Sequence, residues 1–335
     1  MGSPVQQTRS AFHCRHWNIE SHAISFAYIA YASAYLKRFY PAAFLTGLIR
    51  AQPMGFYSVN TLINDARRHG VRIHPVHINH SAAITTLDGR GQPAARNTAP
   101  ADWGSPGPTV RLGLDQVRGI SDTVAERIAA GQPYTSITDL ARRARLTETH
   151  LENLATAGAL TALGPDRRQA LWMAAPAAAN TDTTIDGTIP VTAPMLPGMS
   201  DAELTAANLQ STGSSVDSHP IQHIRHHLDA HGAVRIGQLP TIPDRTRVLV
   251  GGIVTHRQAP ETAGGVLFVN LEDETGQANV VCEPGLRVAY PREAHAVPAL
   301  LIRGRLRNAD GVVSLTADKL TPLHTPAAVK GRNFR

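Results

Sequence analysis

Only two cysteines occur in 335 residues, Cys14 and Cys282, and they lie in separate segments. No disulfide framework can be built from them, which suits a reducing cytoplasm. No apolar run reaches the length of a membrane span, since the longest, Ala23 to Tyr35, is broken by Ser25 and Ser33 before Lys37 and Arg38. No signal peptide is visible, and a soluble cytoplasmic chain with no membrane partner is expected. Aromatics are sparse at 5%. Clustered metal ligands are scarce as well. His219, His223, His227 and His231 recur every four residues, but no cysteine lies near them and a solvated helix face is favoured. His13, Cys14 and His16 are read the same way. Glu272, Asp273 and Glu274 invite comparison with two-metal phosphoryl chemistry. They run directly into Thr275-Gly276, however, and adjacent strand residues point to opposite faces, so a hairpin end is favoured. No catalytic residue, resident metal or cofactor is expected in this sequence.

Positive charge is plentiful, with a formal net charge of +6 and a pI near 9.7. This favours a polyanionic partner without specifying a fold. Its placement is uneven. Residues 1–80 carry 8 Lys and Arg against 2 Asp and Glu, whereas residues 176–244 carry 2 against 7. The middle and the barrel-like block are nearly neutral, so any anion contact there must be local.

The most informative run is LGLDQVRGISDTVAERIAAG, from Leu112 to Gly131. It reads as two short helices joined by a hairpin at Gly119, Ile120 and Ser121. A hairpin of this form aims free backbone N–H groups and a helix N-terminus at one place, which is a phosphate site. Arg118, Gly119, Ile120 and Ser121 are therefore candidate DNA-binding residues. Ser121 or Asp122 caps the following helix. The rhythm repeats through Leu151, Leu154, Gly158 and Leu160, making Ala157, Gly158 and Ala159 a second candidate hairpin. For both, a plain helical connector is the competing reading.

From Arg247 the apolar period becomes two, with turns at Gly264-Gly265, Glu274-Thr275-Gly276 and Asp310-Gly311 and a helical crossover near Pro284 to Glu293. Five strands in that order fit an OB barrel. On its fourth strand Arg303, Arg305 and Arg307 alternate with Ile302, Gly304 and Leu306, giving one basic face. With Arg247, and with Phe268 as a stacking residue, this face can track a single strand; the alternative is a solvated strand face.

Ahead of these blocks, an irregular start gives way to helices over Ala23 to Phe39 and Pro41 to Arg50, a third capped by Ser58, and a short strand at Val71 to Ile73. Gly- and Pro-rich residues 82–107 read as a linker, and residues 174–199, rich in Ala, Thr and Pro, as a second.

The run ESHAISFAYIAYASAYLKRFYPAAFLTGLIRAQPMGFYSVNTLINDARRHGVRIHPVHIN, from Glu20 to Asn79, resembles the end of the fingers region of bacterial C-family DNA polymerases. QPMGFYS, DARRHGV, DSHPIQ and VLVGGIVTHRQAPETAGGVLFVNLEDETG resemble specifically the error-prone branch, relatives of the polymerase III alpha subunit. The likeness covers Glu20 to Arg335, including the final GRNFR. It implies a multidomain chain, mainly α (fingers remnant and tandem helix-hairpin-helix), followed by an all-β OB-fold barrel. The segments are 1–19 divergent, 20–81 fingers, 82–107 linker, 108–175 tandem helix-hairpin-helix, 176–244 linker and connecting helices, 245–323 OB-fold and 324–335 basic tail.

By the same resemblance, Ser21, His22, Lys37 and Arg38 stand near nucleotide and template. The hairpins grip primer-template duplex, and the barrel holds single-stranded template. Accessory translesion proteins and a sliding clamp are the implied protein partners. The family's palm, with three metal-binding aspartates, has no counterpart here, so Mg2+ is implied only for the complete polymerase and no DNA synthesis is expected from this sequence alone. Trp17-Asn18-Ile19 stands where an aromatic-Gly-aromatic-Pro pattern is usual, which implies a truncated or frameshifted gene or an internal start. A protein-interaction adaptor docking through the OB surface and the tail, Lys330 to Arg335, is the rival expectation.

Overall fold

A computed structural model describes residues 5–55, 57–179, 193–309, 312–325 and 332–334, with backbone alone for 5–21, 332 and 334. The chain opens on one helix, α1 (Val5–Phe39). The irregular start expected before Ala23 is therefore absent from the described part, because nothing from Val5 to Phe39 is Pro or Gly and no residue there breaks the ladder. Pro41 begins α2 (Pro41–Arg50) at a position where its missing N–H costs nothing. In α3 (Val59–Arg68) the Ser58 hydroxyl accepts the Thr61 N–H at 3.2 Å.

Residues 82–107 do not separate two units. They contribute β2 (Thr86–Asp88), which pairs antiparallel with β3 (Thr109–Arg111), and β3 pairs parallel with β1 (Ile73–His74). Arg38 at the end of α1 holds this segment by donating to the carbonyls of Ala95 and Arg96, each at 2.8 Å. Turn composition was legible in the sequence, but the pairing partners lay on both sides of it.

The helical region continues through α4 (Asp122–Ala130), α5 (Ile137–Arg143), α6 (Glu148–Thr156) and α7 (Arg167–Ala179). One apolar core runs without a break from Ala42 and Ile63 through Ile128, Leu140 and Leu154 to Ala177. Each fully buried Leu or Ile in it contributes about 1.5–3 kcal/mol. Half of the second expected linker, residues 180–192, lies outside the described residues, and α7 reaches into its start.

Next come α8 (Asp201–Thr212), a 3₁₀ turn at Pro220–Ile224 and α9 (Arg225–Ala230). The four histidines do not share a solvated helix face, because the 3₁₀ turn changes the angular spacing between them. His219 is buried at 3% exposure and caps the turn, accepting the Ile221 N–H on Nδ1. His223 Nε2 lies 2.8 Å from the Thr205 hydroxyl, and of the four only His227 and His231 have neighbouring rings, 4.4 Å apart and tilted.

The barrel consists of β4 (Arg247–Gln258), β5 (Leu267–Glu272), β6 (Gln277–Cys282), β7 (Ala299–Ala309) and β8 (Val312–Pro322). Its order is β5-β6-β8-β7-β4, and β4 also pairs with β5, closing the sheet on itself. β6 and β8 run parallel, and α10 (Pro284–Ala289) and α11 (Pro291–His295) connect β6 to β7. Inward Val250, Leu271, Val280, Ile302 and Leu315 form the core. Buried among them, the Cys282 thiol is pushed up to about 11 and is inert as a nucleophile. Ala309 pairs with Val312, so the expected turn at Asp310-Gly311 sits between paired strands but outside the described residues. The expected basic tail supplies β9 (Arg332–Phe334), which pairs parallel with His256 to Gln258 of β4.

Candidate nucleic-acid interface

At the first hairpin the chain turns on Gly119, whose φ of +82° is a conformation L side chains avoid. Ser121 caps α4, its hydroxyl accepting the Val124 N–H at 3.4 Å. Asp122 and Thr123 follow as the first two helical residues, exposed, with N–H groups that have no helical acceptor. Arg118 and Ile120 are committed elsewhere. The Arg118 N–H donates to the Ser211 carbonyl and its guanidinium to the Gln210 carbonyl, both at 2.8 Å, so Arg118 closes the C-terminus of α8. The Ile120 N–H donates to Val117, and its side chain is buried. The amide hydrogens left open at this hairpin are thus those of Ser121, Asp122 and Thr123, which overlap the expected Arg118 to Ser121 only at Ser121. Negative charge nearby limits them: burial pushes the Asp115 carboxyl above its usual range, and Asp122 adds to the same effect.

The second hairpin differs in kind. The Ala157 N–H donates to Asn153, Gly158 to Ala155 and Ala159 to Leu154. With Gly158 at φ +74°, this is a Schellman closure of α6. All three amide hydrogens are consumed within the motif, and Ala157 and Ala159 are buried at 4% and 0% exposure. Ala157, Gly158 and Ala159 therefore do not form the amide-lined phosphate site expected of them. Arg167 lies against Gly158 and donates to the Thr156 carbonyl at 3.1 Å.

On the barrel, strand register gathers the predicted residues. Phe268 pairs with Val281, Val281 with Thr316, Thr316 with Arg305 and Arg305 with Arg247. These five make one outward row across five strands, with Phe268, Arg305 and Arg247 exposed. At about 4.8 Å per strand, Phe268 and Arg305 stand roughly 14 Å apart along the surface. Arg247, Arg305 and Arg307 line one groove of about 650 Å³ with Arg245. Arg303 is tied in through Asp318, which it meets at 2.6 Å and which Arg247 meets at 3.0 Å. Sequence reasoning missed Asp318 because it sits at a β-bulge: Arg303 pairs with Lys319 and Gly304 with Ala317, leaving Asp318 as the extra residue.

The residues assigned by resemblance to nucleotide and template are spread along α1. His22 is exposed and packs edge-on against Phe26. Lys37 pairs with Asp65 of α3 at 2.8 Å. Arg38 lies over the Trp103 ring at 4.8 Å while it holds the 82–107 segment. The Ser21 side chain lies outside the described residues. Among the described residues no group of three or more His, Cys, Asp or Glu could hold a metal ion, and no helix is long and apolar enough to cross a membrane.

Comparison with known proteins agrees with this architecture. The helix-hairpin-helix motif family matches residues 70–170, and the OB-fold nucleic acid binding domain family matches residues 248–323. A protein named error-prone DNA polymerase from Mycolicibacterium paratuberculosis is 44% identical over 94% of this chain and 28% of its own length. One from Corynebacterium efficiens is 48% identical over 91% of this chain and 27% of its own length. One from Nocardia farcinica is 46% identical over 94% and 27%. The chain spans about a quarter of the length of these relatives. Among solved structures, asparaginyl-tRNA synthetase from Pyrococcus horikoshii aligns over 28% of this chain and 23% of its own at a TM-score of 0.24, too distant to bear on the fold. By sequence, the chain is a homologue of the C-terminal part of error-prone DNA polymerases, built from a helix-hairpin-helix region and an OB-fold nucleic acid binding domain.

Proposed function

We propose that this chain holds primer-template DNA for error-prone synthesis and does not itself form phosphodiester bonds. The carrying observation is the groove that gathers Arg245, Arg247, Arg305 and Arg307 on one side of the barrel, from which the outward row runs round the closed sheet to Phe268. Arginines along a strand neutralise successive phosphates, while a ring accepts any base by stacking. The amide hydrogens at Ser121, Asp122 and Thr123 add a phosphate contact from a helix N-terminus. Nucleotide addition needs carboxylates positioned around two metal ions, and that set, with its Mg2+, is assigned to the remainder of the polymerase. Translesion accessory proteins and a sliding clamp are partners proposed for the same assembly. A tail-docked adaptor is less favoured, because Arg332–Phe334 is engaged as a strand of the barrel.

The test is binding of a labelled primer-template with a single-stranded overhang at several salt concentrations. Replacing both Arg305 and Arg307 by Glu should weaken binding by at least about tenfold and make the salt slope shallower by roughly 1.5. A folded double variant with unchanged affinity and slope would refute the barrel as the strand-holding surface. Extension of a primer by the purified chain would refute the non-catalytic assignment.

A further inference from the structure

Where α3, the Pro220–Ile224 turn and the β5–β6 hairpin meet, a cleft of about 620 Å³ opens between the helical region and the barrel. Four guanidinium groups line it, those of Arg67, Arg68, Arg225 and Arg235, with one lining carboxylate, Glu274. Behind them the charges are paired. Arg68 meets Glu272 at 3.2 Å, Arg225 meets Asp273 at 2.9 Å and Glu274 at 2.7 Å, and Arg235 meets Glu274 at 3.3 Å. Among the described residues Arg67 donates to the Asp217 carbonyl, at 3.2 Å, and the Asp217 charge attracts its guanidinium.

Three buried donors in this lining have no acceptor among the described residues: Asn64 Nδ2, His219 Nε2 and Arg225 Nη1. His219 is 3% exposed and Arg225 6%. Because His219 Nδ1 accepts the Ile221 N–H, the neutral ring carries its proton on Nε2, where it can only donate. Burial pushes the imidazole down to about 3, so it is neutral at physiological pH. A buried donor without an acceptor costs about 1–3 kcal/mol, and here three of them share a cleft rich in guanidinium.

We propose that this cleft is a phosphoryl-binding site, in which His219 and Arg225 donate to one phosphate group while Arg67 supplies its counter-charge. A phosphate offers three acceptor oxygens and up to two charges, matching forked guanidinium donors better than a carboxylate does. The group can belong to a free nucleotide or pyrophosphate or to a nucleic-acid strand. Only the second source would rest on the DNA-holding function proposed above.

The experiment uses Gln222→Glu, which places a carboxylate at an exposed rim position of the cleft without removing any buried contact, and Arg67→Gln as the second variant. Calorimetric titration with inorganic pyrophosphate should show binding to the unaltered chain, weakened about tenfold by either substitution, a difference of about 1.4 kcal/mol. Primer-template binding then separates the sources. Loss of DNA affinity in Gln222→Glu with competition by pyrophosphate identifies a strand phosphate; unchanged DNA affinity identifies a free one. If the folded chain takes no pyrophosphate and its DNA affinity ignores Gln222→Glu, or if both variants bind pyrophosphate normally, the proposal is overturned. Failure of the barrel surface is read separately, from the Arg305 and Arg307 variant.

Discussion

Single residues show most clearly how one sequence symbol serves two physical ends. Gly119 and Gly158 look alike in the chain, and both take positive φ, +82° and +74°. Gly119 precedes a helix and leaves amide hydrogens open, whereas Gly158 closes one and consumes them. The difference lies in which carbonyls come within reach, and spacing does not encode that. Arg145 makes the point testable. It occupies at the end of α5 the position that Gly70, Gly158 and Gly232 occupy elsewhere, with φ at 49°, while Leu146 donates to Ala141 and Arg145 to Arg142. A non-glycine residue pays about 1–2 kcal/mol for that conformation. Glycine returns about 0.5–1 kcal/mol through the freedom of the unfolded chain. Arg145→Gly should therefore stabilise the protein by roughly 0.5–1 kcal/mol, seen as a higher Tm in thermal unfolding, and Arg145→Val should lower Tm.

Elements were legible wherever a local rule sufficed. Alternation over Arg303 to Arg307, the turns at Gly264-Gly265 and Thr275-Gly276, and the Ser58 and Ser121 caps all follow from neighbouring residues, and the structure places them as read. The basic row was half legible. Its alternation is local, but its connection to Phe268 needs the register of four strand pairs, and Asp318 joins it only through a bulge. Pairing of residues 86–88 with 109–111 was equally hidden, because glycine and proline around it read as a linker. The start of α4 offers a test at this scale. Thr123→Glu places a negative charge in the first turn, where the helix dipole favours it by about 0.3–1 kcal/mol. Thermal stability should hold or rise. DNA affinity should fall severalfold in the same salt titration, because the added carboxylate competes with a phosphate for the same amide hydrogens. Equal affinity in a variant of equal or greater stability would remove this hairpin from the interface.

At the scale of the whole molecule, buried charge joins helical region and barrel alongside a small apolar cluster in which Ile221 and Leu228 pack with Ile253 of β4. Arg68 reaches Glu272, and Arg225, from the start of α9, reaches Asp273 and Glu274. The acidic run was legible as a hairpin end and is one: the Asp273 carboxylate accepts the Thr275 and Gly276 N–H groups. Its arginine partners lie about 50 and 200 residues away in sequence, beyond any local pattern. Two groups at this joint give it opposed pH responses. Burial pushes the Glu272 carboxyl from 4.5 up to about 7, even against the attraction of Arg68, and pushes His219 from 6.5 down to about 3. Between pH 4.5 and 6.5 the folded chain holds a proton on Glu272 that the unfolded chain releases, so raising pH through this window lowers stability. Over the same window the unfolded chain holds a proton on His219 that the folded chain refuses, so raising pH increases stability. The two slopes, each approaching about 1.4 kcal/mol per pH unit, largely cancel in the intact protein. Glu272→Gln should expose the His219 response, with stability rising from pH 5 to 6.5. His219→Asn, which keeps an acceptor for the Ile221 N–H, should expose the Glu272 response, with stability falling over the same interval. Denaturant unfolding of both variants at closely spaced pH values measures the two slopes. Parallel curves for the two variants would mean that neither group is held in the protonation state its burial requires.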